Sequence, residues 1–124
     1  MTTRRRPRAI NSRRVLDQQV SESQLQRDVL EMAKKLGWLA YHVYDSRMSG
    51  PDKGFPDIIL AKREGAARVL AIELKTERGR VSTAQWAWLA ALMGPLECYV
   101  WRPRDWSSGE IEAILAGRDG QRAA

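Results

Sequence analysis

Residues 54–75 read GFPDIILAKREGAARVLAIELK. Two apolar runs, Phe55 to Ala61 and Val69 to Lys75, flank a polar turn from Lys62 to Arg68 centred on Gly65, which is the pattern of two neighbouring strands. So short a connection permits only an antiparallel hairpin. Pro56 has no N–H for a ladder and must stand at the entry of its strand. In the second run Val69, Ala71, Glu73 and Lys75 share one face, and Leu70, Ile72 and Leu74 the other. Positions at equal sequence distance from Gly65 pair across the hairpin, so Asp57 falls opposite Glu73. Asp57, Glu73 and Lys75 then converge near its open end.

Working outward, Ser21 followed by Gln24 is a capping-box signature. Leu25, Val29, Met32, Ala33 and Leu36 follow on one helical face, and Gly37 stops the helix. Glu22 lies three residues before Leu25, on the side of the first turn that looks toward the core or a cleft beside it. Trp38 to Tyr44 is rich in strand-favouring residues, and Asp45 to Gly54 is a polar loop. Beyond the hairpin, Ser82 with Gln85 opens a second helix that runs to Met93 before Gly94 and Pro95. Leu96 to Arg102 is a fourth strand, reached through a helix and therefore parallel to the third. Ser107 with Glu110 caps a short terminal helix carrying Ile111, Ile114 and Leu115. The expected fold is α/β, order α-β-β-β-α-β-α, a mixed central sheet flanked by helices.

A length of 124 residues with 44% hydrophobic content suits one domain with a modest core. Residues 1–20 hold six arginines, Arg4, Arg5, Arg6, Arg8, Arg13 and Arg14, against Asp17 alone, and so carry five of the formal +6 charges. Few large apolar side chains accompany them, and the stretch reads as a disordered or loosely helical basic arm suited to a phosphate backbone. The folded unit is expected over residues 21–116, with a flexible tail over 117–124. No run of about 18 apolar residues occurs, and no apolar stretch follows the basic start as in a secretory signal, so a soluble cytoplasmic protein without membrane contact is expected.

The single Cys98 excludes an internal disulfide and a multi-thiolate zinc site, and the single His42 excludes schemes built on paired histidines within one chain. Chemistry must then rest on carboxylates, lysine, serine or the backbone. Two carboxylates facing across a hairpin repel unless a cation lies between them. Hard oxygen ligands of this kind suit magnesium, or manganese in its place, completed by substrate phosphate and water. The adjacent lysine suits an attacking water and the charge of a phosphate. No feature calls for a nucleotide cofactor.

These residues, Gly54-Phe55-Pro56-Asp57, Ile72-Glu73-Leu74-Lys75, then Gln85 with Trp88, resemble the VRR-NUC domain of the PD-(D/E)XK nuclease superfamily, from about Glu22 to Leu115. The resemblance implies a restriction-endonuclease-like core and a metal-dependent endonuclease. It assigns metal binding to Asp57 and Glu73, positioning of water or phosphate to Lys75, and further site roles to Glu22 as an additional metal ligand and to Gln85. It also implies branched or structured DNA as substrate and, by likeness to small Holliday junction resolvases of bacterial or phage-infected cells, a homodimer near the nucleoid serving recombination or repair. Two sites related by a two-fold axis suit symmetric cleavage of two strands.

Cations near such a site are expected to contact the DNA backbone: Arg47 and Lys53 in the long loop, Arg78 and Arg80 after the third strand, and Arg4, Arg5 and Arg6 in the arm. Trp86, Trp101 and Trp106 are candidates for base stacking or a dimer face, with at least two of the five tryptophans expected in the core. Ser82 reads as a helix cap, His42 as a satisfied half-buried side chain, Cys98 as buried and inert. Two other functions compete with the nuclease. One is a catalytically silent, structure-specific DNA-binding module; the other is a partner subunit of a recombination or packaging complex.

Overall fold

A computed structural model describes residues 12–42, 53–62, 64–65 and 67–119. Its helices are α1 (Ser12–Gln19), α2 (Glu22–Lys35), α3 (Thr83–Leu92), α4 (Pro103–Ser107) and α5 (Glu110–Leu115). Its strands are β1 (Trp38–His42), β2 (Ile58–Lys62), β3 (Val69–Leu74) and β4 (Glu97–Trp101). They form one mixed sheet in the order β1-β2-β3-β4, antiparallel at the first two pairings and parallel at the third. The architecture is α/β, a four-stranded mixed sheet flanked by helices, consistent with a restriction-endonuclease-like core.

The hairpin register is the one that symmetry about Gly65 predicts: Ile58 pairs with Ile72, Ile59 with Ala71, Leu60 with Leu70. The two faces of β3 are then covered separately. Leu70, Ile72 and Leu74 join Leu25 and Val29 of α2, Ile111 and Leu115 of α5, Trp38 and Trp101 in the main core. Fully burying each such side chain contributes about 1.5–3 kcal/mol. Ala71 and Glu73 face the other way, toward α3, whose Leu89 is buried. Both faces of β3 are thus enclosed, as an interior strand with a parallel neighbour requires. Trp38 also donates its indole N–H to the Leu115 carbonyl at 2.9 Å, tying β1 to the end of α5.

The structure corrects several boundaries. The second strand begins at Ile58, not Phe55, because Pro56 lacks the N–H and Asp57 meets β3 through its side chain instead of its backbone. The first helix is preceded by another: α1 lies within the stretch read as a basic arm. Val15 and Leu16 of α1 stay exposed, so apolar burial does not hold it. Asp17 is buried and accepts a hydrogen bond from Ser107 Oγ at 2.9 Å, fastening α1 to α4. The expected terminal helix is two helices. Pro103 opens α4 and does not merely end β4, and the residue before α5 is Gly109 at φ +83°, so Ser107 is no cap for α5.

The tail from residue 117 is not wholly free. Arg68 makes a bidentate pair with Glu97 at 2.7 Å to each oxygen and reaches Asp119 at 3.1 and 3.2 Å. Trp101 is buried and unavailable for stacking, Trp106 packs partly buried against the core, and Trp86 is 53% exposed. Cys98, expected to be buried, is half-buried, and that burial raises its thiol pKa. Among the described residues no helix is long and apolar enough to cross a membrane.

Candidate active site

The site forms where the open end of the β2–β3 hairpin meets the first turn of α3. Gly54 adopts φ +90°, and a Cβ there would lie 2.6 Å from the backbone carbon of Ala84 and 2.8 Å from the Gln85 nitrogen. Only glycine lets this turn press against α3. Phe55 meets Trp88 edge to face, centroids 5.0 Å apart, and Pro56 is buried. The segment before Asp57 is therefore locked to the helix that carries Gln85.

Asp57 Oδ2 accepts the backbone N–H of Leu74 at 2.8 Å, continuing the ladder beyond Ile58. Glu73 is 1% exposed, and its Oε1 accepts from Gln85 Nε2 at 2.7 Å. Gln85 Oε1 in turn accepts the Ser82 N–H at 2.8 Å, and Ser82 Oγ accepts the Gln85 N–H at 3.1 Å. The capping box of α3 thus fixes which end of the Gln85 amide faces Glu73.

The second Glu73 oxygen, Oε2, is buried and has no hydrogen-bond partner among the described residues. Asp57 faces it. Burial, first, and the neighbouring Asp57 charge, second, raise the Glu73 carboxyl to about 9 against the opposing pull of Lys75. Glu22 adds a smaller upward push and is itself raised by burial, with Lys75 and Asp57 in electrostatic reach. As a residue Glu22 is exposed, at the rim and not on the buried side of α2.

An orphaned buried carboxylate oxygen next to a second carboxylate is what a divalent cation satisfies. Among the described residues no three acidic, histidine or cysteine ligands enclose an ion by themselves. A two-carboxylate platform nevertheless fits a hard divalent cation whose shell is completed by water and phosphate.

The structure thus brings Asp57, Glu73, Lys75, Glu22 and Gln85 to one place. Lys53, Arg78 and Arg80 are exposed. Arg4, Arg5, Arg6 and Arg47 lie outside the described residues. His42 is half-buried, 3.4 Å from Gln26 Nε2. Sequence reasoning named the Ser82–Gln85 capping box, which is present, but missed two supports: the Leu74 N–H and Arg102. Arg102 donates to the carbonyls of Thr76 and Gly79 at 2.7 Å each and so fastens the loop after Lys75. Nothing in the local sequence signalled either of these two.

Residues 2–101 match the VRR-NUC domain family. The chain belongs to that family, a nuclease domain of the PD-(D/E)XK superfamily. The match ends at the last residue of β4, so α4 and α5 lie beyond it. No curated protein and no solved structure matched the chain significantly. Membership in this nuclease family makes DNA the implied substrate.

Proposed function

We propose that the protein is a metal-dependent endodeoxyribonuclease that hydrolyses phosphodiester bonds in branched or structured DNA, in the manner of a Holliday junction resolvase. The observation that carries the reading is the closeness of Asp57 and Glu73: each has one oxygen held by the protein, the two carboxylates interact electrostatically, and Glu73 Oε2 is buried without a partner among the described residues. Asp57 and Glu73 would hold a magnesium ion, with manganese as substitute and Glu22 contributing from the rim. Such an ion, when bound, supplies charge neutralisation at a phosphate and acidifies water.

The chain's own residues do the rest. Gln85 orients Glu73 through its amide and keeps one carboxylate oxygen from rotating away. Lys75, from the end of β3, sets a cation beside the phosphate and orients the attacking water. Hydrolysis adds that water across a P–O bond. Lys53, Arg78 and Arg80, with Arg47 of the long loop and Arg4, Arg5 and Arg6 of the arm, contact flanking phosphates without reading sequence. Two copies related by a two-fold axis would cut two strands symmetrically, in the cytoplasm near the nucleoid.

The test of substrate class compares labelled four-way junction, flap, single-stranded and linear duplex DNA, each with magnesium, with manganese and with chelator. Symmetric cuts near the branch, absent from the linear duplex, are expected. Equal cutting of linear duplex would overturn the branched-DNA part of the proposal, and junction binding without cuts in either metal would favour the silent DNA-binding module.

A further inference from the structure

Three arginines from three separate segments line one cleft of about 400 Å³: Arg14 of α1, Arg78 of the loop after β3, and Arg104 of α4. Two carboxylates share its wall, and both are already engaged. Asp17 accepts from Ser107 Oγ at 2.9 Å, and Glu77 accepts the Arg104 backbone N–H at 2.7 Å while its other oxygen lies 3.9 Å from Arg104 Nε. Three arginines against two carboxylates leave the lining with an excess of positive charge, and the planar donor forks of guanidinium groups match phosphate oxygens.

The cleft is built, not incidental. Arg102 Nη1 gathers the Thr76 and Gly79 carbonyls, so Arg78 rides on an anchored loop. The Asp17–Ser107 bond sets α1, and with it Arg14, against α4. Arg78 is three residues beyond Lys75, so chain length alone keeps the two Cα atoms within about 11 Å. That is about three base-pair rises of DNA.

We propose that this cleft is a second phosphate site, gripping the DNA backbone a few nucleotides from the phosphate that Asp57, Glu73 and Lys75 address. It rests on the DNA reading above but adds α1 and α4, which that reading does not use. The cleft sets where along a strand the protein seats itself.

The test is salt-dependent binding of the full chain to a labelled duplex in chelator. The triple variant Arg14→Ala, Arg78→Ala, Arg104→Ala should lower the slope of log affinity against log salt by about 2 to 3, at about 0.9 per lost phosphate contact. The same three positions changed to Lys should keep most of the slope, which separates lost charge from lost fold. Lys34→Ala with Lys35→Ala, on the exposed end of α2, serves as the control and should barely move it. A wild-type slope in the alanine triple, or an equal loss in the lysine triple, would overturn the second site. Wild-type cleavage is scored separately. A reduced slope in a protein that cuts no DNA would sink the nuclease proposal alone, whereas cutting with an unchanged slope would sink the cleft alone.

Discussion

Gln85 donates its amide N–H to Glu73 at 2.7 Å while the oxygen of the same amide accepts the Ser82 N–H. One side chain thus serves as helix cap and as carboxylate holder, so the start of α3 and the orientation of Glu73 are mechanically one object. Gln85→Ala should therefore cost about 1–2 kcal/mol of stability, from a lost cap and a lost charge-assisted bond, and lower cleavage about 10- to 100-fold. Gln85→Glu keeps the acceptor for Ser82 but sets a third carboxylate against Glu73. It should retain most of the stability near pH 5 and lose it at pH 8, as denaturant melts at the two pH values will show.

The metal-free protein should lose stability as pH rises. Glu73 has its folded pKa above the ordinary carboxylate value, so its protonated form favours the fold. That contribution is complete below about 4.5 and fades as pH approaches about 9. Glu22, raised in the same direction, adds to it. Glu97, which Arg68 holds below the usual range, acts only on the acid side of this window. In chelator the melting temperature should fall between pH 5 and 8.5, and a divalent cation should restore it. Glu73→Gln should flatten the slope and stabilise the metal-free protein at pH 8 by on the order of a few kcal/mol, because the introduced amide can donate to Asp57. A melting temperature that rises over this window would contradict the burial argument.

Gly54→Ala tests the clamp between the Asp57 segment and α3. The added methyl would meet the Ala84 backbone at 2.6 Å on a residue already at φ +90°. Left-handed strain and overpacking together should cost about 2–4 kcal/mol. Activity should fall further than stability alone explains, since the clash pushes Gln85 from Glu73. A fully folded, fully active variant would show that the clamp does not position the site.

Arg68 lies at the opposite end of the sheet and gives a contrasting expectation. Its bidentate pair with Glu97 and its reach to Asp119 tie the β2–β3 turn to β4 and to the segment that follows α5. Arg68→Ala should destabilise by about 1–3 kcal/mol, leaving two carboxylates without their cation. Cleavage at a temperature well below melting should be unchanged.

The hairpin was legible in the sequence because its information is local. Gly65 centres the turn, alternation assigns faces, and the two together put Asp57 beside Glu73 without any tertiary knowledge. The helices with apolar stripes, α2 and α5, were legible for the same reason. What escaped reading depends on partners distant in sequence. α1 is held by Asp17 and Ser107, ninety residues apart, with its apolar side chains exposed, so hydrophobic periodicity gave no signal. Arg102 holds a loop more than twenty residues upstream, and the break between α4 and α5 turns on Gly109. Trp101 reads as a surface aromatic until the helices that cover it are in place.

The most direct test of the central claim is cleavage of a labelled four-way junction by the wild type and by Asp57→Ala, each with magnesium and with chelator. Metal-dependent cutting by the wild type is expected, with at least a thousandfold loss in the variant and junction binding retained. Equal cutting by Asp57→Ala, or cutting that survives chelation, would contradict a site built on the Asp57–Glu73 pair.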